Sequence, residues 1–234
     1  MTTNATTAQV IQTSDRTRPS THAGATRQLL TIGAIGGPAY IAAGLVQALL
    51  RDGFDLGHHP LSLLSTGRYG WIQILNFIVA GLITIAMAVG FHRAMDNQPG
   101  SRWTPRLLAA YGVGLVAAGV FVTDPMNKFP GGTPDGPPDK ITWHGAAHLT
   151  FAGLGFAGLV AAMFVTARYF TRRNETRWAR YTRATAVTFL VGFMSLSSGE
   201  ANAARLAVFW VGMLAATIWL TATALRLRTN TNQP

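Results

Sequence analysis

Two histidines four positions apart, His144 and His148, open a long apolar stretch that runs to about Val165. On a helix that spacing places both imidazoles on one face, and two such rings are half of a zinc site. A second pair, His58 and His59, stands in an earlier loop, and Asp124 closes the apolar stretch that precedes the first pair. Zinc held by His144, His148 and a third donor from His58, His59 or Asp124 would keep one position for water. The metal would lower the pKa of that water toward neutrality and make it a hydrolytic nucleophile. Asp124, or Asp55 in the loop of the second pair, would move the proton. Residue 145 is glycine, so the helix carries no built-in base of the His-Glu-x-x-His kind. The chain has no cysteine, which leaves nitrogen and oxygen as the only donors for a metal.

The same residues support two other readings. His144 and His148 can cap a polar mouth by bonding to Asp124 or to loop carbonyls, or they can serve metal-free acid–base chemistry together with Asp124. Ionisable groups at a membrane boundary are costly and are functional candidates for that reason.

The elements that must position these residues are membrane helices. Of 234 residues, 49% are hydrophobic and 12% charged, against about 25% charged in a soluble domain. Six apolar segments read as spans: 29–50, 71–91, 107–122, 143–167, 181–197 and 205–225. The third and fifth are short against the ~20 residues of a full crossing. The net charge of +10 resembles a nucleic-acid signal until its distribution is read. With an internal N-terminus, all 19 basic residues except Arg51, Arg68, Lys128, Lys140 and Arg205 fall on the cytoplasmic side. The expectation is an all-α polytopic membrane bundle of six transmembrane helices in the plasma or inner membrane, both termini cytoplasmic. Residues 1–26 read as a disordered tail, 27–228 as the membrane domain and 229–234 as a second short tail. No nucleic-acid motif is present.

Glycines at 33, 36, 37, 112, 114, 119, 145, 153, 155 and 158 favour close helix packing over a ligand cavity. Gln73 and Asn76 share a face of the second span and suit a helix–helix hydrogen bond, with Gln47 nearby. Ser62 and Ser65 read as loop or cap residues, and Glu200 as a partner for Arg205. The loop 51–70 is half-apolar, so Pro60–Leu64 is expected to dip toward the membrane or to pack over the bundle mouth. The loop 124–142, rich in proline and glycine, forbids regular helix and is expected to cap the outer side.

His59-Pro-Leu-Ser, Gly70-Trp-Ile-Gln, Asn76, Thr123-Asp-Pro, Phe129-Pro-Gly-Gly and Trp143-His-Gly-x-x-His148 resemble the bacterial membrane family known as domain of unknown function 998. The likeness covers roughly residues 28–225 and implies a multispan membrane protein, without an activity. The order Ser62 or Ser65, Asp124, His144-x-x-x-His148 is similar, more loosely, to the alkaline ceramidase and adiponectin receptor hydrolases. That likeness implies zinc on three histidines, but those proteins carry the paired histidines in the last of seven spans.

Taken together, the residues favour metal-assisted hydrolysis of a membrane lipid or small amphiphile at the outer face. The alternatives are a metal-free cyclase or isomerase, and a non-catalytic partner, sensor or lipid transporter.

Overall fold

The protein is described by a computed structural model in which residues 21–95, 100–197 and 202–231 are placed. Six α-helices account for most of them: α1 (Thr21–Leu50), α2 (Gly70–Ala94), α3 (Trp103–Val120), α4 (Trp143–Arg172), α5 (Thr176–Ser197) and α6 (Ala203–Asn230). Each helix packs on the next in chain order, and α6 returns to α1, so the bundle is a closed ring. α1 starts at Thr21, inside the segment expected to be a tail, and α6 runs to Asn230. The expected Glu200 pairing falls outside the described residues.

Lipid is the solvent this ring fits. Ile35, Leu82, Val113, Leu154, Val191 and Ile218, one from each helix, are all more than half exposed. Such a belt would be an aggregation hazard in water. Trp143 and Trp71 open α4 and α2 at one end of the bundle and Trp103 opens α3 at the other, all three exposed. Tryptophan prefers the two membrane–water interfaces. Four helices, α1, α2, α4 and α6, are long and apolar enough to cross a membrane. α3 has only 18 residues, and the first turns of α5 carry Arg177, Arg180 and Arg183.

Glycine lets the helices touch backbone to backbone. A Cβ on Gly81 would lie 2.6 Å from the Gly112 carbonyl oxygen, and one on Gly112 would lie 2.8 Å from that of Gly81. Gly114 approaches Gly155 in the same way across α3 and α4, and Gly192 approaches Gly212 across α5 and α6. With little hydrophobic drive between helices in lipid, this close packing supplies much of the cohesion. The expected polar ladder forms between α1 and α2. Gln47 donates to Gln73 Oε1 at 2.8 Å, and Asn76 donates to the Tyr40 carbonyl at 3.1 Å.

The two ends of the ring differ. Arg93, Arg102, Arg106, Arg168, Arg172 and Arg226 gather at one end, where Glu175 receives Arg173 Nε at 3.0 Å and Arg226 Nε at 2.9 Å. That bond to Glu175 pushes the Arg173 guanidinium above its ordinary value. The other end is closed by the loops 51–69 and 121–142, which form a roof.

Candidate functional site

The roof is built by Arg51. Its guanidinium donates to the carbonyls of Leu64 and Thr66, at 2.5 and 2.7 Å, and lies 4.8 Å from the centre of the Phe129 ring. Burial pushes this guanidinium down from its ordinary value, yet arginine stays charged in proteins. Phe129, 2% exposed, meets Phe54 edge-on at 5.1 Å and packs on the His59 ring at 5.5 Å. Leu61–Ser65 forms a short 3-10 helix that buries Leu61, Leu63 and Leu64 over the bundle mouth. Gly70 follows because any Cβ there would overlap the Ser65 carbonyl.

His59 is consumed by this roof. Its Nδ1 accepts the Asp55 backbone N–H at 2.9 Å, so Nε2 carries the proton and donates to the Asn127 carbonyl at 2.8 Å. His58 is exposed and paired with Asp55 at 2.8 Å. The Gly57 backbone N–H, and then His58, hold the Asp55 carboxyl below the usual carboxylate range. Lys128 does the same for Asp135, 2.7 Å away.

Asp124 organises the start of α4. It accepts the Thr142 N–H at 2.9 Å and the Thr142 hydroxyl at 2.7 Å, and the Thr142 oxygen accepts the Gly145 N–H at 3.0 Å. Thr142 is thus the N-cap and Asp124 holds the cap. Gly145 is required there, since a Cβ would overlap the Asp124 carboxyl.

His144 and His148 do not converge. His144 is exposed at the rim, tilted against Trp143 with ring centres 3.6 Å apart. His148 is 3% exposed, and its Nδ1 lies 2.9 Å from the Ala118 carbonyl and 2.8 Å from that of Phe121. Carbonyls only accept, so Nδ1 carries the proton and caps orphaned carbonyls at the end of α3. Nε2 is left as an acceptor with no partner among the described residues. Among those residues, no three His, Asp or Glu side chains form a group that could hold a metal. Asp124 and Asp55 are each engaged in local backbone structure, and Ser65 donates to the Ser62 carbonyl.

Beneath the roof the ring lines a partly open cavity of about 1240 Å³. His148 lines it, together with Tyr40 of α1, Phe77 of α2 and Tyr111 of α3. The rest of the helical lining is apolar: Phe156 of α4, Phe193 and Leu196 of α5, and Phe209, Trp210 and Met213 of α6. Asp55, His58, His59, Ser62, Lys128 and Asp135 line the roof side. His144 and Asp124 do not line it. The glycine-rich faces serve packing and cavity at once, since Gly114 and Gly155 touch each other and also border the space.

Sequence reasoning passed over Tyr40 and Tyr111. Both sit about 14 Å along their helices from the roofed ends, at 1.5 Å per residue. Tyrosines of an interfacial belt lie at helix ends, so a mid-span hydroxyl was the available signal.

An up-and-down ring of apolar helices with lipid-facing exteriors defines a polytopic α-helical membrane protein. The family model described as "Protein of unknown function (DUF998)" matches residues 34–226, and the chain belongs to that family. The matched region runs from α1 to the last turns of α6 and contains both roof loops. Comparison with curated proteins and with solved structures returns no match.

Proposed function

We propose that this protein binds a membrane lipid or small amphiphile in the cavity of its ring. In this reading all six helices cross the plasma or inner membrane, with the arginine-rich end in the cytoplasm and the roof outside. The observation that carries it is the cavity itself. At about 1240 Å³ it exceeds the ~300–1,000 Å³ of ordinary small-molecule pockets. It also joins an apolar aromatic wall to a polar mouth, the division an amphiphile has.

Metal-assisted hydrolysis would require His58, His59 or His144 to leave its present partners and reach His148. Acid–base chemistry on the bound amphiphile, of a cyclase or isomerase kind, needs only His148 Nε2 and is the enzymatic reading the geometry favours.

The test is to fill the space. Gly153 lines the cavity, and a Cβ there meets only Phe193 Cζ at 3.8 Å, ordinary contact distance. Gly153→Leu combined with Ala152→Phe is expected to abolish labelling of the purified protein by a diazirine-bearing sixteen-carbon alcohol. The variant should unfold at a temperature close to that of wild type. Undiminished labelling of the folded variant would sink the proposal.

A further inference from the structure

Resting on that cavity, the pattern of open and closed polar atoms specifies the ligand's head. We infer that the cavity selects an uncharged amphiphile whose polar group is a hydroxyl, held between His148 Nε2 and the phenol groups of Tyr111 and Tyr40.

Three observations lead there. His148 is fixed as an acceptor toward the cavity, because its only ring proton is committed to the Ala118 and Phe121 carbonyls. An acceptor calls for a ligand that donates. The Tyr111 hydroxyl, on a residue 7% exposed, has no partner among the described residues. The Tyr40 oxygen accepts from Gln73 Nε2 at 3.5 Å, which leaves its own proton to give. The simplest uncharged group that both donates to an imidazole nitrogen and accepts from phenols is an alcohol. An ether, ester or ketone accepts but cannot donate to His148.

Charge is the third observation. The cavity-lining side chains of the six helices include no Asp, Glu, Lys or Arg. The ionisable roof groups that line the cavity are bonded to each other, Asp55 to His58 and Lys128 to Asp135. A phosphate or ammonium head drawn in beside His148 would be a buried charge without a counter-ion, which is costly. An alcohol enters without that penalty, offering a donor to His148 Nε2 and an acceptor to the Tyr111 hydroxyl.

The geometry also orients the ligand. His148 lies about 7 Å along α4 from its start, and Tyr40 and Tyr111 about twice as far from the roofed ends of their helices. The hydroxyl therefore sits on the α1–α4 side, while the alkyl chain lies against Phe193, Phe209, Trp210 and Met213.

The experiment is competition against the diazirine-bearing sixteen-carbon alcohol on full-length protein in nanodiscs. Unlabelled hexadecanol, its methyl ether and palmitate are the competitors, and cross-linked peptides are mapped by mass spectrometry. Hexadecanol is expected to displace the probe at roughly five- to tenfold lower concentration than the ether, the worth of one buried hydrogen bond. Cross-links should map to α5 and α6. His148→Asn keeps a donor at the Nδ1 position and removes Nε2, so the alcohol and ether should become equal. Tyr111→Phe, which removes a single oxygen, should weaken both competitors together and keep their ratio. Equal displacement by alcohol and ether in wild type would overturn the hydroxyl assignment and leave the cavity reading intact. Stronger displacement by palmitate would overturn it in favour of an acid. Labelling that no competitor reduces would bring down the cavity reading itself. Should His148→Asn fail to fold, the wild-type ratio and Tyr111→Phe still decide.

Discussion

The roof and the wall beneath it each hold a buried histidine, and the two are wired differently. In the roof, His59 has both ring nitrogens tied to backbone, to Asp55 on its own loop and to Asn127 on the other. In the wall, His148 has one nitrogen tied to the end of α3 and the other left to the cavity. The same contrast extends outward. Arg51, Phe54 and Phe129 close on one another, whereas Tyr111 lines the cavity. A polar group that has satisfied its bonds is architecture, and a buried one that has not invites a ligand.

Breaking the architecture should cost the most. Asp124→Ala removes both acceptors from Thr142 and should lower stability by about 3 kcal/mol, read as a fall in thermal midpoint in detergent. His59→Phe keeps the ring packing on Phe54 and Phe129 but strands the Asp55 N–H and the Asn127 carbonyl. A loss of about 2 kcal/mol is expected, by the same measurement. His148→Asn retains the cap on α3 and should cost less than about 1 kcal/mol. A loss as large as that of His59→Phe would erase the distinction between roof and wall. The smallest effect concerns Asp55. Its carboxyl is held below the usual range in the folded protein, so the stabilisation is present above about pH 4 and fades as pH falls through the lowered value. Thermal midpoints between pH 5 and pH 3 should show a slight decline that is smaller in Asp55→Asn, where the share of Asp135 remains.

Much of the bundle was legible because lipid imposes a length. A run of some twenty apolar residues matches the thickness of a bilayer's hydrocarbon core, and the segments read from sequence fall within α1 to α6, except that the third runs two residues past Val120, the end of α3. The loop 124–142 was legible from its prolines and glycines. The site was less so. A spacing of four sets His144 and His148 on one face but about 6 Å apart along the axis. That rise carries His144 beyond the bundle to the exposed rim, while His148 stays inside. Arg51 reads in sequence as one of the few basic residues outside the arginine-rich end, and nothing local reveals that it ties two loops together. Phe193, Phe209 and Trp210 face the cavity and Val191 and Val211 face outward. Apolar residues serve both sides of a helix in lipid, so composition cannot separate them. The positions of the glycines, with Gln73 and Asn76, hinted at which faces meet.

The seam where α6 returns to α1 has its own consequence. Thr221 donates to the Ala34 carbonyl at 2.9 Å, across 187 positions of chain. Every other wall of the ring joins neighbours in sequence, so this one carries the largest loop-closure entropy. During synthesis the first five helices are expected to form an open trough that shuts only when the last arrives. The seam is therefore expected to be the latest contact made and the earliest lost, which amide exchange along α1 and α6 would register as the fastest opening in the bundle. A slower opening there than between α2 and α3 would refute that order of assembly.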